Sequence, residues 1–201
     1  MRQHCFVALI VAAGLSVSVP ANAQKKDART RSQEAVVQGD ALTAEQKYVE
    51  ALKFYDDAIR IDSKNEEAYL HRGQANLKAR RIRNGQADCD QALRINPDFA
   101  EGYHCRALAA AYLTDVKGAM KDLAQSIKLN PEFIPAYESR AGMNQGRGNL
   151  EEALKDYEQL VKLKPNDSTV FWKRAAIETS LKRTDLALKD LAKRFASLQT
   201  M

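Results

Sequence analysis

The chain has 201 residues, 45% hydrophobic and 28% charged, with a formal net charge of +5. This is ordinary globular usage with enough chain for one sizeable core, and it excludes collagen-like and low-complexity classes. The positive excess is mild and spread over stretches of alternating sign, whereas nucleic-acid binding would call for a clustered basic stripe.

The first residues differ in kind from the rest. Arg2 precedes an almost unbroken apolar run from Phe6 to Val19, and Pro20-Ala21-Asn22-Ala23 puts small residues where a signal peptidase reads before Gln24. A charged start, a short apolar core and an A-x-A site make residues 1–23 a secretory signal peptide, with 24–31 a short leader. The run is short for a spanning helix and Lys25 and Lys26 follow at once, which weighs against an uncleaved anchor. Cys5 stands well before the cleavage site, which weighs against a lipoprotein. The expectation is export, with no stable membrane insertion after cleavage. Cys89 and Cys105 would then meet an oxidising compartment.

From Ser32 the sequence repeats itself. Rows of 34 residues beginning at Ser32, Glu66, Ala100, Ile134 and Ser168 align without a gap to Met201. One column reads Ala35, Tyr69, Tyr103, Tyr137, Phe171, and four residues on stand Gly39, Gly73, Ala107, Ala141, Ala175. A later column holds Ala51, Gly85, Ala119, Ala153, Ala187, followed by a bulkier slot with Tyr55, Cys89, Leu123, Tyr157, Leu191. Pro97, Pro131 and Pro165 close the inner rows, where the first has Ser63. Apolar residues recur at helical spacing, as in Leu154, Tyr157 and Val161. First helices are expected at 32–43, 66–79, 100–112, 134–146 and 168–181. Second helices are expected at 48–61, 84–95, 116–129, 150–163 and 184–198. The small columns let paired helices approach, and the prolines stop each second helix.

The pattern of aromatic, small residue, Ala, bulky residue and closing Pro resembles the tetratricopeptide repeat (TPR) family. The resemblance covers residues 32–201, as repeats 32–65, 66–99, 100–133, 134–167 and 168–201. It implies an all-α, right-handed superhelical solenoid of five helix-turn-helix units with a concave inner surface. The first row is degenerate, and in the last Arg194 stands where Ala58 and Ala92 are small. The family's usual role implies a non-catalytic scaffold or adaptor that binds a protein or peptide segment, without a cofactor. A bacterial-looking signal and the resemblance to envelope TPR proteins imply the periplasm, although eukaryotic export shares the same signal logic. Self-association through the degenerate first repeat is the alternative.

Candidate residues follow from the columns. The ligand of such proteins usually lies along the first helices, which nominates Leu70, Gln74, Leu77, His104, Leu108, Glu138, Gln145 and Trp172. Trp172 is the one tryptophan, either an anchor for a ligand or a packing residue for the last helix. The Lys, Asn and Arg clamp that some relatives use for a terminal carboxylate is missing, since its slots hold residues such as Leu70, Gln74 and Glu101.

Arg72, Arg106, Arg140 and Arg174 occupy a slot where the family most often has Leu, and Asp88, Asp122, Asp156 and Asp190 each follow 16 residues later. Repetition with the core period argues for structural ion pairs, within or between units, over a basic track for anionic peptides. His71, His104 and Cys105 can in principle approach a common point, yet no metal or nucleophile motif accompanies them. Cys89 and Cys105 fall on neighbouring helices, so a disulfide is conceivable; an unbridged, buried pair is the expectation.

Overall fold

In the computed structural model residues 21–198 are described, with side chains from 28 to 192. The apolar run of the expected signal peptide lies outside the described residues. Ten helices form five hairpins, with no strand among the described residues. They are α1 (Ala21–Ala44) with α2 (Tyr48–Ile61), α3 (Glu66–Lys78) with α4 (Ile82–Ile95), and α5 (Ala100–Tyr112) with α6 (Val116–Leu129). The array continues with α7 (Ile134–Gly146) and α8 (Leu150–Leu163), then α9 (Ser168–Ser180) and α10 (Thr184–Leu198). No described helix is long and apolar enough to cross a membrane.

Most spans fall within a residue of the expected ones, and α4 starts two residues earlier. α1 differs most: it runs back through the expected leader to Ala21. No proline or glycine interrupts residues 21–38, so nothing ends the helix there. Arg29 fastens this stretch to the next unit, donating to Asp62 at 3.3 Å, the Lys64 carbonyl at 3.0 Å and Glu66 at 2.9 Å.

Each hairpin turns on one residue in the left-handed region: Gln46, Arg80, Thr114, Gly148 and Lys182, with φ from 60 to 78°. Between hairpins, Asp62, Asn96 and Asn130 leave the helix in extended conformation. Their side-chain oxygens accept from the N–H two residues on, at 3.0, 3.1 and 3.0 Å. These Asx turns fix the link ahead of the next first helix, and Pro97 and Pro131 follow two of them.

The paired helices meet on the small columns. A Cβ on Gly85 would stand 2.9 Å from the Gly73 carbonyl oxygen and 2.7 Å from Leu77 Cδ2, so the backbones touch where side chains are absent. The core is a row of four apolar clusters along the array, centred on Tyr55, on Leu77 with Cys89, on Leu123, and on Tyr157 with Ile177. Each hairpin therefore leans on its neighbours, as expected of a solenoid.

The odd-numbered helices also lie against one another, α1 on α3, α3 on α5 and α5 on α7, while the even-numbered ones stand apart. The odd helices thus form the tighter, inner layer. That layer is closest at the N-terminal half and opens towards α7 and α9.

Candidate protein-binding groove

The opening of the inner layer decides which nominated residues reach solvent. Leu70 and Leu77 are 5% and 4% exposed, packed among Cys89, Cys105 and Ala109. His104 is buried too, its Nε2 2.9 Å from Ser139 Oγ on α7 and its ring edge-on to Phe133. Burial pushes the His104 imidazole below its ordinary pKa, which favours the neutral ring. These three residues are therefore core rather than groove, a correction to the sequence reading. Ser139 of α7 and Phe133 at its N-cap pack on His104, Leu70 and Leu77 share a cluster with Cys105 and Ala109 of α5, and Leu77 also abuts α4 at Gly85.

Gln74 and Leu108 are half-buried, and Glu138, Gln145 and Trp172 are exposed. Trp172 shows 51% of its surface and Tyr112 50%, with Arg80 stacked 5.4 Å from the Tyr112 ring centroid. Between α5 and α9, α7 presents Gly142 and Gly146, where an added Cβ would meet nothing within 4 Å. Ala111 is exposed and Ala176 half-buried on the flanking inner helices. The open half of the inner face thus has a floor of small residues, with Tyr112 and Trp172 on the helices either side. Tyr112 and Gly146 were not nominated from sequence, and their exposure in the structure is the signal that identifies them.

Glu138 accepts from Lys164 Nζ at 3.0 Å, which screens one of the groove's carboxylates. His71 is engaged elsewhere, with Nδ1 2.5 Å from Asp40 Oδ1. Asp40 also accepts from Tyr55 Oη at 2.8 Å, which lies 2.9 Å from Thr43 Oγ1. His71 and His104 therefore serve different interfaces instead of a common centre.

The arginine and aspartate columns pair within hairpins. Arg106 donates through Nε to Asp122 Oδ2 at 2.7 Å and through Nη2 to Oδ1 at 2.9 Å, and Arg72, Arg140 and Arg174 repeat this fork onto Asp88, Asp156 and Asp190. The hydrogen bond to Asp122 holds the Arg106 guanidinium above its already high pKa. Arg72 and Arg106 also reach back to the preceding hairpin, at Asp56 (2.6 Å) and Asp90 (3.2 Å). Arg140 lacks that second bond because Ala124 occupies the corresponding position.

The four carboxylates are buried, between 1% and 7% exposed, so the guanidiniums answer a desolvation cost. The aromatic column takes part as well. Each guanidinium stands over the ring three residues before it, 5.3 to 6.0 Å from the centroids of Tyr69, Tyr103, Tyr137 and Phe171. A guanidinium held by a carboxylate and a ring is not an open track for a ligand.

Cys89 of α4 and Cys105 of α5 form a disulfide, with Cα atoms 5.8 Å apart. This corrects the expectation of an unbridged pair: the hairpins stack closely enough at α4 and α5 to bring both buried thiols together.

Known proteins agree with this architecture. The TPR repeat family matches residues 39–79 and the tetratricopeptide repeat family matches residues 134–167. No curated protein matches the chain by sequence. Among solved structures, MamA 41-end from Desulfovibrio magneticus RS-1 shares 16% identity with a TM-score of 0.68, covering 89% of this chain and 97% of its own. TTC0263, a thermophilic TPR protein in Thermus thermophilus, shares 20% identity with a TM-score of 0.67, over 83% of this chain and 91% of its own. YrrB, a TPR protein with an unusual peptide-binding site, shares 20% identity with a TM-score of 0.59, over 81% and 84%. At these identities the likeness establishes the fold. Repeat period, helix order and family matches converge: the chain is built of tetratricopeptide repeats stacked as an all-helical, right-handed solenoid.

Proposed function

We propose that this protein is a non-catalytic adaptor of the bacterial cell envelope, exported to the periplasm, which holds a segment of a partner protein in the open half of its inner face. The observation that carries the reading is the floor of Gly142 and Gly146 on α7, flanked by Ala111 of α5, between helices that expose Tyr112 and Trp172. A floor without side chains admits a peptide backbone closely, and exposed aromatics supply large contact area at low entropic cost. Export is supported by the signal-like N-terminal sequence and by the Cys89–Cys105 disulfide, a bond that persists in oxidising compartments. The fold is one whose similar structures include a described peptide-binding protein, YrrB.

The test is capture from an envelope extract by immobilised residues 24–201, beside Trp172→Ala and Gly142→Glu. Gly142 points into open space, so glutamate there fills the groove and leaves the packing intact. A partner held by the wild-type protein and lost by both variants supports the groove. Recovery of the chain alone would favour self-association instead.

A further inference from the structure

The even-numbered helices carry a second feature. A cleft of about 610 Å³ opens between α2 and α4, with Arg72 of α3 at its base. Its charged lining comprises four cations and two carboxylates. Both carboxylates, Asp56 and Asp88, are already spent on Arg72. That leaves Lys53, Arg81 and Arg83, all exposed, with side chains that have no hydrogen-bond or ion-pair partner among the described residues.

Packing does not explain these cations. Arg81 and Arg83 stand at the start of α4, whose first turn has no acidic residue, so their charges oppose the helix dipole. At the corresponding pair of positions, the other repeats have Lys47 with Val49, Asp115 with Lys117, Asn149 with Glu151, and Arg183 with Asp185. Two cations together occur at α4 alone. The cleft also has an apolar wall, where Val49 is 56% exposed beside Leu52. No aromatic side chain lines it, so it offers no surface on which a nucleobase stacks.

From this charge complementarity we infer that the α2–α4 cleft is a second docking surface, for an acidic protein segment carrying an apolar side chain. Carboxylates of the segment meet Lys53, Arg81 and Arg83, and the apolar side chain rests on Val49 and Leu52. The surface is independent of the inner groove, so the protein can hold two partners at once.

The test is fluorescence anisotropy of the purified protein with a labelled peptide, Gly-Glu-Asp-Leu-Glu-Asp. Arg81→Glu combined with Arg83→Glu is expected to weaken binding by at least about tenfold, more so at low salt. Lys53→Ser, at an exposed site, is expected to weaken it in the same direction and keeps the test valid should the double variant fold poorly. Replacing the peptide's acids by amides is expected to abolish binding, and Gly142→Glu is expected to leave it unchanged. The proposal is overturned if the cleft variants bind like wild type, if the amide peptide binds equally well, or if Gly142→Glu removes binding. Tighter, cleft-dependent binding of a labelled oligothymidylate would also overturn it, in favour of nucleic acid.

Discussion

Asn76 Nδ2 donates to Asp88 Oδ2 at 2.9 Å, adding a neutral donor to the carboxylate that Arg72 already grips. In the last hairpin Glu178 takes the place of that asparagine, beside Asp190 and Arg174. An ionised glutamate has no proton to donate, and Glu178 Oε2 is buried without a partner. Burial raises the Glu178 carboxyl, the Asp190 charge raises it further, and Arg174 and Arg183 oppose both. Because the folded-state pKa lies above the unfolded value, the stability held at low pH is lost as pH rises from about the ordinary carboxylate range through the raised pKa. Glu178→Gln restores the neutral donor. It is expected to stabilise the protein by about 1 kcal/mol at neutral pH. The difference between the two proteins should shrink on acidification. Urea unfolding at a series of pH values checks this, and a difference that does not change with pH would refute it.

The ladder separates buried from exposed pairing. Asp156 is 1% exposed, so Arg140→Ala leaves a buried charge alone and is expected to cost about 3–5 kcal/mol. Replacing the pair together, Arg140→Met with Asp156→Leu, should cost less than either single change, since no charge is then stranded. Asp56 is a contrast: its side chain is 62% exposed, and Asp56→Ala should cost less than about 1 kcal/mol despite a 2.6 Å ion pair. Chemical denaturation of Arg140→Ala, of Arg140→Met and Asp156→Leu singly and together, and of Asp56→Ala gives the comparison.

The fold was legible because a fixed period writes every contact several times. Proline, the small columns and the bulky slot each carry one packing role, and α2, α5, α6, α7 and α8 fall on their expected spans. The start of α1 was not legible, since the period says where a repeat begins and nothing in residues 21–31 marks a helix stop. The groove was half legible. Leu70, His104 and Glu138 share one column, yet the first two are buried and the third exposed. What separates them is the spacing of successive inner helices, a property of how whole hairpins tilt. The arginine and aspartate columns were readable from the period, while the stacking of each arginine on an aromatic and the choice of the within-hairpin aspartate required the helices to be placed.

The disulfide gives a direct measurement. It joins α4 to α5 with a sequence separation of 16, so it staples the second hairpin to the third. Closing a loop of that size is worth about 3 kcal/mol in the chain-entropy account. Material prepared under oxidising conditions is expected to show no free thiol at Cys89 or Cys105 after denaturation, and reductant should lower its melting temperature. Cys89→Ala with Cys105→Ala should melt like the reduced protein and ignore reductant. A wild-type melting temperature unaffected by reductant would show that packing alone holds this junction.

The left-handed turn residues offer a gain in stability. Thr114 has φ 64°, a conformation that crowds its β-branched side chain against the backbone. Gly148 fills the equivalent turn one repeat later with φ 78° and no such strain. Thr114 is exposed, and its hydroxyl bonds only to the neighbouring Leu113 carbonyl, so little packing is lost on substitution. Thr114→Gly is therefore expected to stabilise the third hairpin by about 1 kcal/mol, the left-handed penalty outweighing the extra chain entropy of glycine. Thr114→Val keeps the branching and loses the hydroxyl, and should be no more stable than wild type. Thermal unfolding of the two variants decides the matter: if both shift alike, the conformation of Thr114 is not what limits the turn.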